Sequence, residues 1–383
     1  MHYLTLVAIA KDETRRLREW LVYHALLGVE AVIIYDNESS VPIRETLAPF
    51  LRNGFLTIVE LPGKNRQIQA YDHALGTFGA TTRWMGFIDL DEYIVPQTTD
   101  DLRHFLTDYE AHAGLVVNWA MYGSGGHVKR PHGLMVENYT MRLPLHHRDN
   151  HHVKSIVKPA CTLRALSPHH FAFRQGCCAV NADRLPSCTP YSPLCADKIR
   201  LNHYYFRSRE EFEDKMRRGR ADTNAQDLRR SIEAFEQQLN APHEEDRCAL
   251  KHLDKLKTML KADGADGVIA LARQRIAQDM PGYLAAFVAA SRQVDADRAD
   301  RILRDALVRY PDDPVLVAVR AGSLRVMGHT ARARAEAERS LAIRPTPQAL
   351  SELALLHAAQ GDQDMADKLQ VFQEFLASIG RCA

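Results

Sequence analysis

Strand-length apolar runs alternate with helix-length amphipathic stretches through the first part of the chain. Residues 4–10 read as a strand, 14–27 as a helix, and 31–35 as a strand rich in β-branched residues. A helix is expected over 41–51, a third strand over 55–61, a helix over 67–78 and a fourth strand over 84–88. This alternation predicts a parallel sheet covered by helices. In such sheets ligands bind beyond the carboxyl ends of the strands. Three polar segments fall at those ends: Lys11-Asp12-Glu13, Asp36-Asn37-Glu38-Ser39 and Asp89-Leu90-Asp91. Their convergence marks the expected site.

The pattern changes twice further on. Between 115 and 206 it becomes irregular, with short strands, many turns and an excess of histidine, as in a region that builds a site. From Ser208 the chain turns charged and alanine-rich, and Ser208 with Glu211 has the S-x-x-E spacing of a capping box. Pro311 and Pro345 lie 34 residues apart, each closing a helix (299–309 and 331–343), and Gly328 and Gly361 mark interhelix turns. This is a helical-hairpin repeat. Ala321 and Ala333, followed by Pro345, sit where the tetratricopeptide pattern places them, and Ala354 and Ala366 echo it. The aromatic positions of that pattern are missing, so an unrelated stack of α-hairpins is the competing reading. The expected organisation is an α/β domain over 1–207, a helical connector over 208–279 and tetratricopeptide-like repeats over 280–383. Such a stack either caps the α/β domain or presents a concave face to a protein partner.

Side chains at i and i+2 of an extended segment face the same way. Asp89 and Asp91 are so spaced, and can offer oxygens to one Mn²⁺ or Mg²⁺ that also holds a substrate diphosphate. A bare D-x-D is more often a turn or a helix cap; its place at the end of an apolar strand, with two other polar strand ends, raises its weight. Lys+Arg of 49 against Asp+Glu of 48 leaves a net charge of +1, which excludes a broad attraction for nucleic acid or acidic membrane. The seven cysteines are odd in number, lack C-x-x-C spacing and include the adjacent Cys177-Cys178, a pattern of reduced thiols rather than disulfides or zinc. The apolar run at 1–10 is too short for a secretion signal or a membrane span. A cytoplasmic protein is expected, with peripheral contact at the inner face of a membrane left open.

The residues of the N-terminal half resemble the family 92-like glycosyltransferases of the family 2-like group. The resemblance lies in Ala10-Lys11-Asp12-Glu13, Leu17, Glu19-Trp20-Leu21, Tyr23-His24, Gly28-Val29, Tyr35-Asp36-Asn37-Glu38-Ser39 and Gln69-Ala70-Tyr71-Asp72-His73. It continues through Trp84, Phe87-Ile88-Asp89-Leu90-Asp91-Glu92-Tyr93, the 119–127 block from Trp119 to His127, and Lys154-Ser155-Ile156-Val157-Lys158-Pro159. A last block is Asn202-His203-Tyr204-Tyr205 with Ser208, Glu211-Phe212 and Lys215. Gly125 stands where a second serine is usual and Tyr93 where Phe is usual.

The resemblance implies a GT-A fold, a mixed sheet flanked by helices, and inverting transfer of a hexose such as galactose from a UDP-sugar to a glycan or lipid-linked acceptor. It assigns Asp91 to the metal, Asp89 to ribose or a water-mediated metal contact, and His203 to the late metal-binding histidine of many GT-A enzymes. Lys11, Glu13 and Asp36 would hold base and ribose; Arg66 and Gln69, opening the helix before the metal strand, would touch ribose or diphosphate. Lys154 and Lys158 suit diphosphate binding, and Glu92 would stand behind the metal pair. Trp119, Gly123, Ser124, His127, His169 and His170 are expected around the sugar and acceptor. An inverting transfer also needs a carboxylate base. Glu137, Asp183 and Asp197 lie in the appropriate half of the chain and no spacing selects among them; Asp197 and Glu137 are carried as candidates. The pairs His146-His147 and His151-His152 read as a polar loop rather than a metal site. Two other functions compete: release of a free sugar or nucleotidyl transfer on the same fold, and a helical scaffold whose α/β domain has lost activity.

Overall fold

The computed structural model describes residues 1–52, 54–218, 226–261, 267–268, 280–293 and 295–379. The chain divides into two compact units, Met1–Phe105 with His112–Arg275, and Leu106–Ala111 with Ile276–Ala383.

The first unit begins with strands β1 (His2–Ala10), β2 (Ala31–Asp36), β3 (Leu56–Glu60) and β4 (Thr82–Phe87). Helices α1 (Thr14–Leu26), α2 (Ile43–Thr46), α3 (Ala48–Arg52) and α4 (Gln67–Phe78) connect them. The helix expected over 41–51 is two short ones. Pro49 has no N–H to offer the carbonyl of Glu45, so the ladder breaks and restarts at Ala48 with the proline tolerated in a first turn. β1 pairs in parallel with β2 and β4, and β2 with β3, as the alternating pattern predicts. All six residues of β2 are buried, the mark of a strand covered on both faces.

Beyond β4 come β5 (Glu92–Pro96), α5 (Leu102–Leu106), β6 (Gly114–Met121), α6 (Met135–Asn138), β7 (Met141–Arg142), β8 (Val153–Val157), β9 (Thr162–Ala165), β10 (Phe171–Phe173), β11 (Ala179–Val180), β12 (Pro186–Ser187) and β13 (Ile199–His203). β8 inserts antiparallel between β4 and β6, so the sheet order is β12-β11-β6-β8-β4-β1-β2-β3, with β13 joining β6 to β5. The sheet is therefore mixed and helix-flanked, as expected of a GT-A arrangement. Tyr71, Phe87 and Phe171 pack on its face, with ring centroids 4.7 Å and 4.6 Å apart along the series.

The helices following the sheet, α7 (Arg209–Arg218), α8 (Gln226–Asn240) and α9 (Leu253–Lys261), belong to the same unit. Phe212 and Phe235 pack with Met121, Leu143 and Phe206, so this part of the expected connector is built into the α/β unit rather than joining two bodies. Residues 219–225, 262–266 and 269–279 of that connector lie outside the described residues. Ser208 accepts from the Glu211 N–H at the start of α7, as the capping-box spacing predicts. The reciprocal half differs: the Ser208 N–H goes to the Tyr139 hydroxyl, which in turn donates to Glu211.

The second unit contains α10 (Met280–Arg292), α11 (Ala296–Arg309), α12 (Pro314–Val326), α13 (Thr330–Ile343), α14 (Pro347–Ala358) and α15 (Gln363–Ile379). Asp313 caps α12 through Val315 N and Leu316 N, and Thr346 caps α14 through Ala349 N. Each cap is followed by a proline in the first turn, where a missing N–H costs nothing. Gly328 and Gly361 both adopt φ of +82°, closing α12 and α14. Buried Ala321, Ala333 and Ala337 let α12 and α13 approach closely. Within this unit the buried Arg320 donates to Thr107 O, Asp108 and Glu336, while Arg304 and Arg332 also face Asp108.

Gly28, at the end of α1, has a φ of +98°, and a Cβ there would stand 2.3 Å from Asp101 Oδ1, which binds the Arg103 side chain. Gly28→Ala is expected to lower stability by about 1–3 kcal/mol through backbone strain and disruption of that pair. The urea midpoint, compared at unchanged denaturant dependence, measures it.

Candidate functional site

The chain leaves β4 at Phe87, turns through Asp89 and Asp91, and re-enters the sheet as β5. The turn is closed by Glu92 N–H to Asp89 O (3.1 Å), and Glu92 Oε2 accepts from the Asp89 N–H (2.8 Å). β5 runs antiparallel to β13 in a register that puts Glu92 opposite His203, and Tyr204 N–H donates to Asp91 O (2.8 Å). Trp20 of α1 holds the same turn by donating to Glu92 O (2.9 Å). Residues separated by more than a hundred positions thus meet at one strand end.

Asp89 and Asp91 have different surroundings. Asp89 accepts from Gln67 Nε2 (2.9 Å) and Lys154 Nζ (2.8 Å), and its side chain keeps 34% exposure. Asp91, 9% exposed, accepts from Lys215 Nζ at Oδ2 (2.6 Å), has Arg207 at 3.5 Å, and meets His203 Nε2 at 3.6 Å on Oδ1. Arg207 also faces Glu13 at 3.4 Å. Asp12 and Arg207 hold left-handed backbone, with φ of 53° and 54°. Strain of this kind at non-glycine residues concentrates at functional sites.

Burial works against the charge on both aspartates, but neighbouring cations outweigh it. Lys154 holds Asp89 below its ordinary carboxylate range, and Lys215 and Arg207, with the His203 ring beside them, hold Asp91 well below it. Glu92 goes the other way: burial, reinforced by the two aspartates, pushes its carboxyl well above the ordinary range against the pull of Lys154. For His203 burial again dominates and lowers the imidazole despite Asp91, so it stays neutral. An anionic carboxylate beside a neutral imidazole is the protonation state that a divalent cation requires of its ligands. His203 Nδ1 is buried without a hydrogen-bond partner among the described residues. No three His, Cys, Asp or Glu among those residues converge as a ready-made cage. Asp91 and His203 would be the protein ligands of a divalent cation there, with phosphate oxygens or water in its other positions.

The remaining expected residues divide sharply. Glu13 reaches the site through Arg207, and Lys154 through Asp89. Lys11 is exposed at the end of β1. Asp36 spends its carboxylate on Ser39 N (3.0 Å) and Ile43 N (3.3 Å), which makes it a turn and helix-start residue. Arg66 donates to Pro62 O and to Gln69 Oε1, so these two side chains serve each other, and Gln67 is the residue of that helix that touches Asp89. Lys158 does not share the site of Lys154: it lies 4.8 Å from the Trp84 ring, at the other end of β8. Asp197 is exposed and precedes β13, whose far end carries His203. Four strand steps, about 13 Å, separate Ile199 from His203, and Asp197 stands in the turn before Ile199, at the opposite end of the strand from the aspartate turn. Glu137 is paired with Lys257 (2.5 Å) rather than with any group at the turn. Trp119 packs on His203 (4.3 Å), His152 (4.8 Å) and His169 (5.3 Å).

Gln67, Arg207 and Lys215 are site residues to which sequence reasoning assigned no role. The signal for Gln67 was present, because Ala70, Tyr71 and Ala74 define the buried face of α4, and position 67 lies on it whereas 66 and 69 do not. Nothing local marked Arg207, and Lys215 stood in the last block of the family resemblance without a role.

The sequence profile of Glycosyltransferase family 92 matches residues 8–226, more than half of the chain. The chain belongs to glycosyltransferase family 92. A family 92 protein of Oryza sativa subsp. japonica is 28% identical over 224 residues, which are 56% of this chain and 35% of that protein. One from Ricinus communis is 28% identical over 225 residues, covering 57% and 38%. The match thus spans about a third of the length of these family 92 relatives. Among solved structures, S. aureus TarS 1-349 aligns over 81% of this chain and 92% of its own, with 15% identity and a TM-score of 0.34. Its complex with UDP aligns with a TM-score of 0.32 at 15% identity, over the same 81% and 92%.

A pocket of about 310 Å³ beside the site is lined by residues including Glu13, Arg16, Arg130, Arg207 and Glu211. Burial alone would raise Glu211, but Arg16, the Tyr139 hydroxyl, Arg207 and Ser208 together bring it down to about 2 from 4.5. A carboxyl depressed in the folded state contributes stability that is complete above its ordinary value and is lost as pH falls through the folded one. The stability difference between the wild type and Glu211→Gln is therefore expected to shrink as pH drops from 4.5 to about 2. Denaturation titrations across that window read it.

Proposed function

We propose that this chain is a metal-dependent glycosyltransferase that moves a hexose, such as galactose, from a UDP-sugar to a glycan or lipid-linked acceptor with inversion. The observation that carries this reading is the apposition of anionic Asp91 and neutral His203 at the carboxyl edge of the sheet, next to a second, cation-braced carboxylate, Asp89. Asp91 and His203 would hold Mn²⁺ or Mg²⁺, which when bound neutralises charge gathering on the departing diphosphate. The partly exposed Asp89 carboxylate, braced by Gln67 and Lys154, accepts from donor hydroxyls or metal-bound water. Glu92, fully buried, accepts from the backbone N–H of Asp89 and so sets the direction of that carboxylate. Trp119, against His203, supplies an apolar wall with a buried N–H that lacks a partner among the described residues, suited to a sugar ring with its alternating faces.

Among the described residues no helix is long and apolar enough to cross a membrane. A cytoplasmic setting with peripheral access to a lipid-linked acceptor is part of the proposal. The hairpins of the second unit form a groove of about 600 Å³, with Phe287, Val319, Val326 and Met327 along it, and a tetratricopeptide-like role in holding a protein partner is proposed for it.

UDP with Mn²⁺ is expected to raise the melting temperature, because a ligand of the folded state stabilises by mass action, about 2.7 kcal/mol at a hundredfold its Kd. UDP without a divalent cation gives a smaller shift, and Asp91→Ala abolishes the metal-dependent part. Equal shifts with and without cation, or no shift with any nucleotide, would refute the metal reading.

A further inference from the structure

Cys161 and Cys177 stand at the root of a hairpin whose tip carries His169 to Trp119. β9 and β10 pair antiparallel with Thr162 opposite Phe173, and the ladder runs one step further, Arg174 N–H donating to Cys161 O (2.9 Å). Arg174 O then accepts from Cys177 N–H (3.0 Å) across a tight turn through Gly176, whose φ is +78°. A turn of this kind holds its first and fourth Cα atoms within about 7 Å of each other. Cys177 is thereby folded back beside Cys161, and the two thiols share a hydrogen bond. Both are free and half-buried.

The neighbouring cysteines are held differently. Cys178 leads into β11, and its carbonyl accepts from Ala113 N–H (3.1 Å), which ties it to the sheet. Cys195 donates its thiol to Asp183 (3.0 Å). Burial and Cys177 push the Cys161 thiol up, against the pull of Lys158 and Arg83, so the pair rests as thiols until an oxidant arrives. At the other end of the hairpin, His169 O accepts from Ser155 Oγ (2.6 Å), and the His169 ring lies 5.3 Å from Trp119 with Nδ1 on Val153 O (2.9 Å). Phe171 packs on Phe87. A constraint at the root therefore acts on a hairpin that forms part of the wall beside His203.

We propose that Cys161 and Cys177 form a reversible disulfide that locks this hairpin at its root. The oxidant is a small-molecule disulfide such as oxidised glutathione. One cysteine, as thiolate, attacks it, expels a small thiol and becomes a mixed disulfide. The other cysteine then attacks that mixed disulfide, a bond forms between the two Sγ atoms, and the second small thiol leaves. The protein gives up two electrons and two protons, which depart with the two small thiols, so an excess of small thiol reverses the reaction. The second step is intramolecular between sulfurs already in contact, which favours the internal bond over a lasting adduct. The new bond encloses residues 161–177 and removes the open conformations of that loop. The disulfide does not depend on the transfer chemistry proposed above.

The full chain, treated with oxidised glutathione without denaturant and then alkylated at its remaining thiols, tests this. Mass spectrometry is expected to find the peptide carrying Cys161 joined to the one carrying Cys177, by a link that dithiothreitol removes. Trypsin leaves Cys177 and Cys178 on one peptide, so variants assign the sulfur: Cys178→Ser keeps the link and Cys177→Ser loses it. Amide hydrogen exchange over residues 162–173 is expected to slow about tenfold when the wild type is oxidised, and to stay unchanged in Cys177→Ser under the same treatment. A link that survives Cys177→Ser, or glutathione retained on both cysteines of the wild type with no link, would overturn the assignment. Unchanged exchange in the linked wild type would overturn the locking of the hairpin.

Discussion

The antiparallel pairing of β5 with β13 is the constraint on which the site depends. It sets Glu92 opposite His203 and lets the Tyr204 N–H clasp the Asp91 carbonyl. A slip of one residue would turn every side chain of β13 to the other face and carry His203 away from the carboxylate. The register is held from several sides: Trp20 donates to the Glu92 carbonyl, Tyr23 to the Ile94 carbonyl, and Asn202 reaches the Tyr122 hydroxyl. These buried polar links cost stability when broken and leave little freedom to the turn they surround.

Charge in the site is arranged as a chain of compensations. Lys154 serves Asp89, Lys215 and Arg207 serve Asp91, and Arg207 also serves Glu13. Burial and the two aspartates push the Glu92 carboxyl well above its ordinary range. Lys154, Lys215 and Arg207 thus stand against Asp89, Asp91 and Glu13.

The helices after the sheet take part in this balance. α7 carries Lys215, and its cap residues Ser208 and Glu211 are linked through Tyr139 to the segment following α6. Phe212 and Phe235 bury the other side of these helices against Phe206. A boundary drawn at 207, where composition changes, separates Lys215 from the aspartate it serves. The second unit, by contrast, has its own apolar clusters, around Leu303 and Leu316 and around Leu324 and Leu353, and its own buried ion network at Arg320.

The sequence alone determined the succession of β1, α1, β2, β3, α4 and β4, because burial on known faces imposes periods of two and 3.6 that can be read without coordinates. It also determined the D-x-D at a strand end, the capping residue Ser208 and the hairpin spacing around Pro311 and Pro345, all consequences of chemistry within a few residues. Tertiary structure decided the rest. Gln67 rather than Gln69 touches Asp89 through the phase of one helix, Lys154 and Lys158 part company because β8 runs past the site, and Asp197 sits at the wrong end of the strand that delivers His203. Asp91 finds its partners at 203, 207 and 215, more than a hundred residues downstream. Such contacts depend on sheet order and strand direction, which hydrogen bonding between distant segments settles, and no local spacing encodes them.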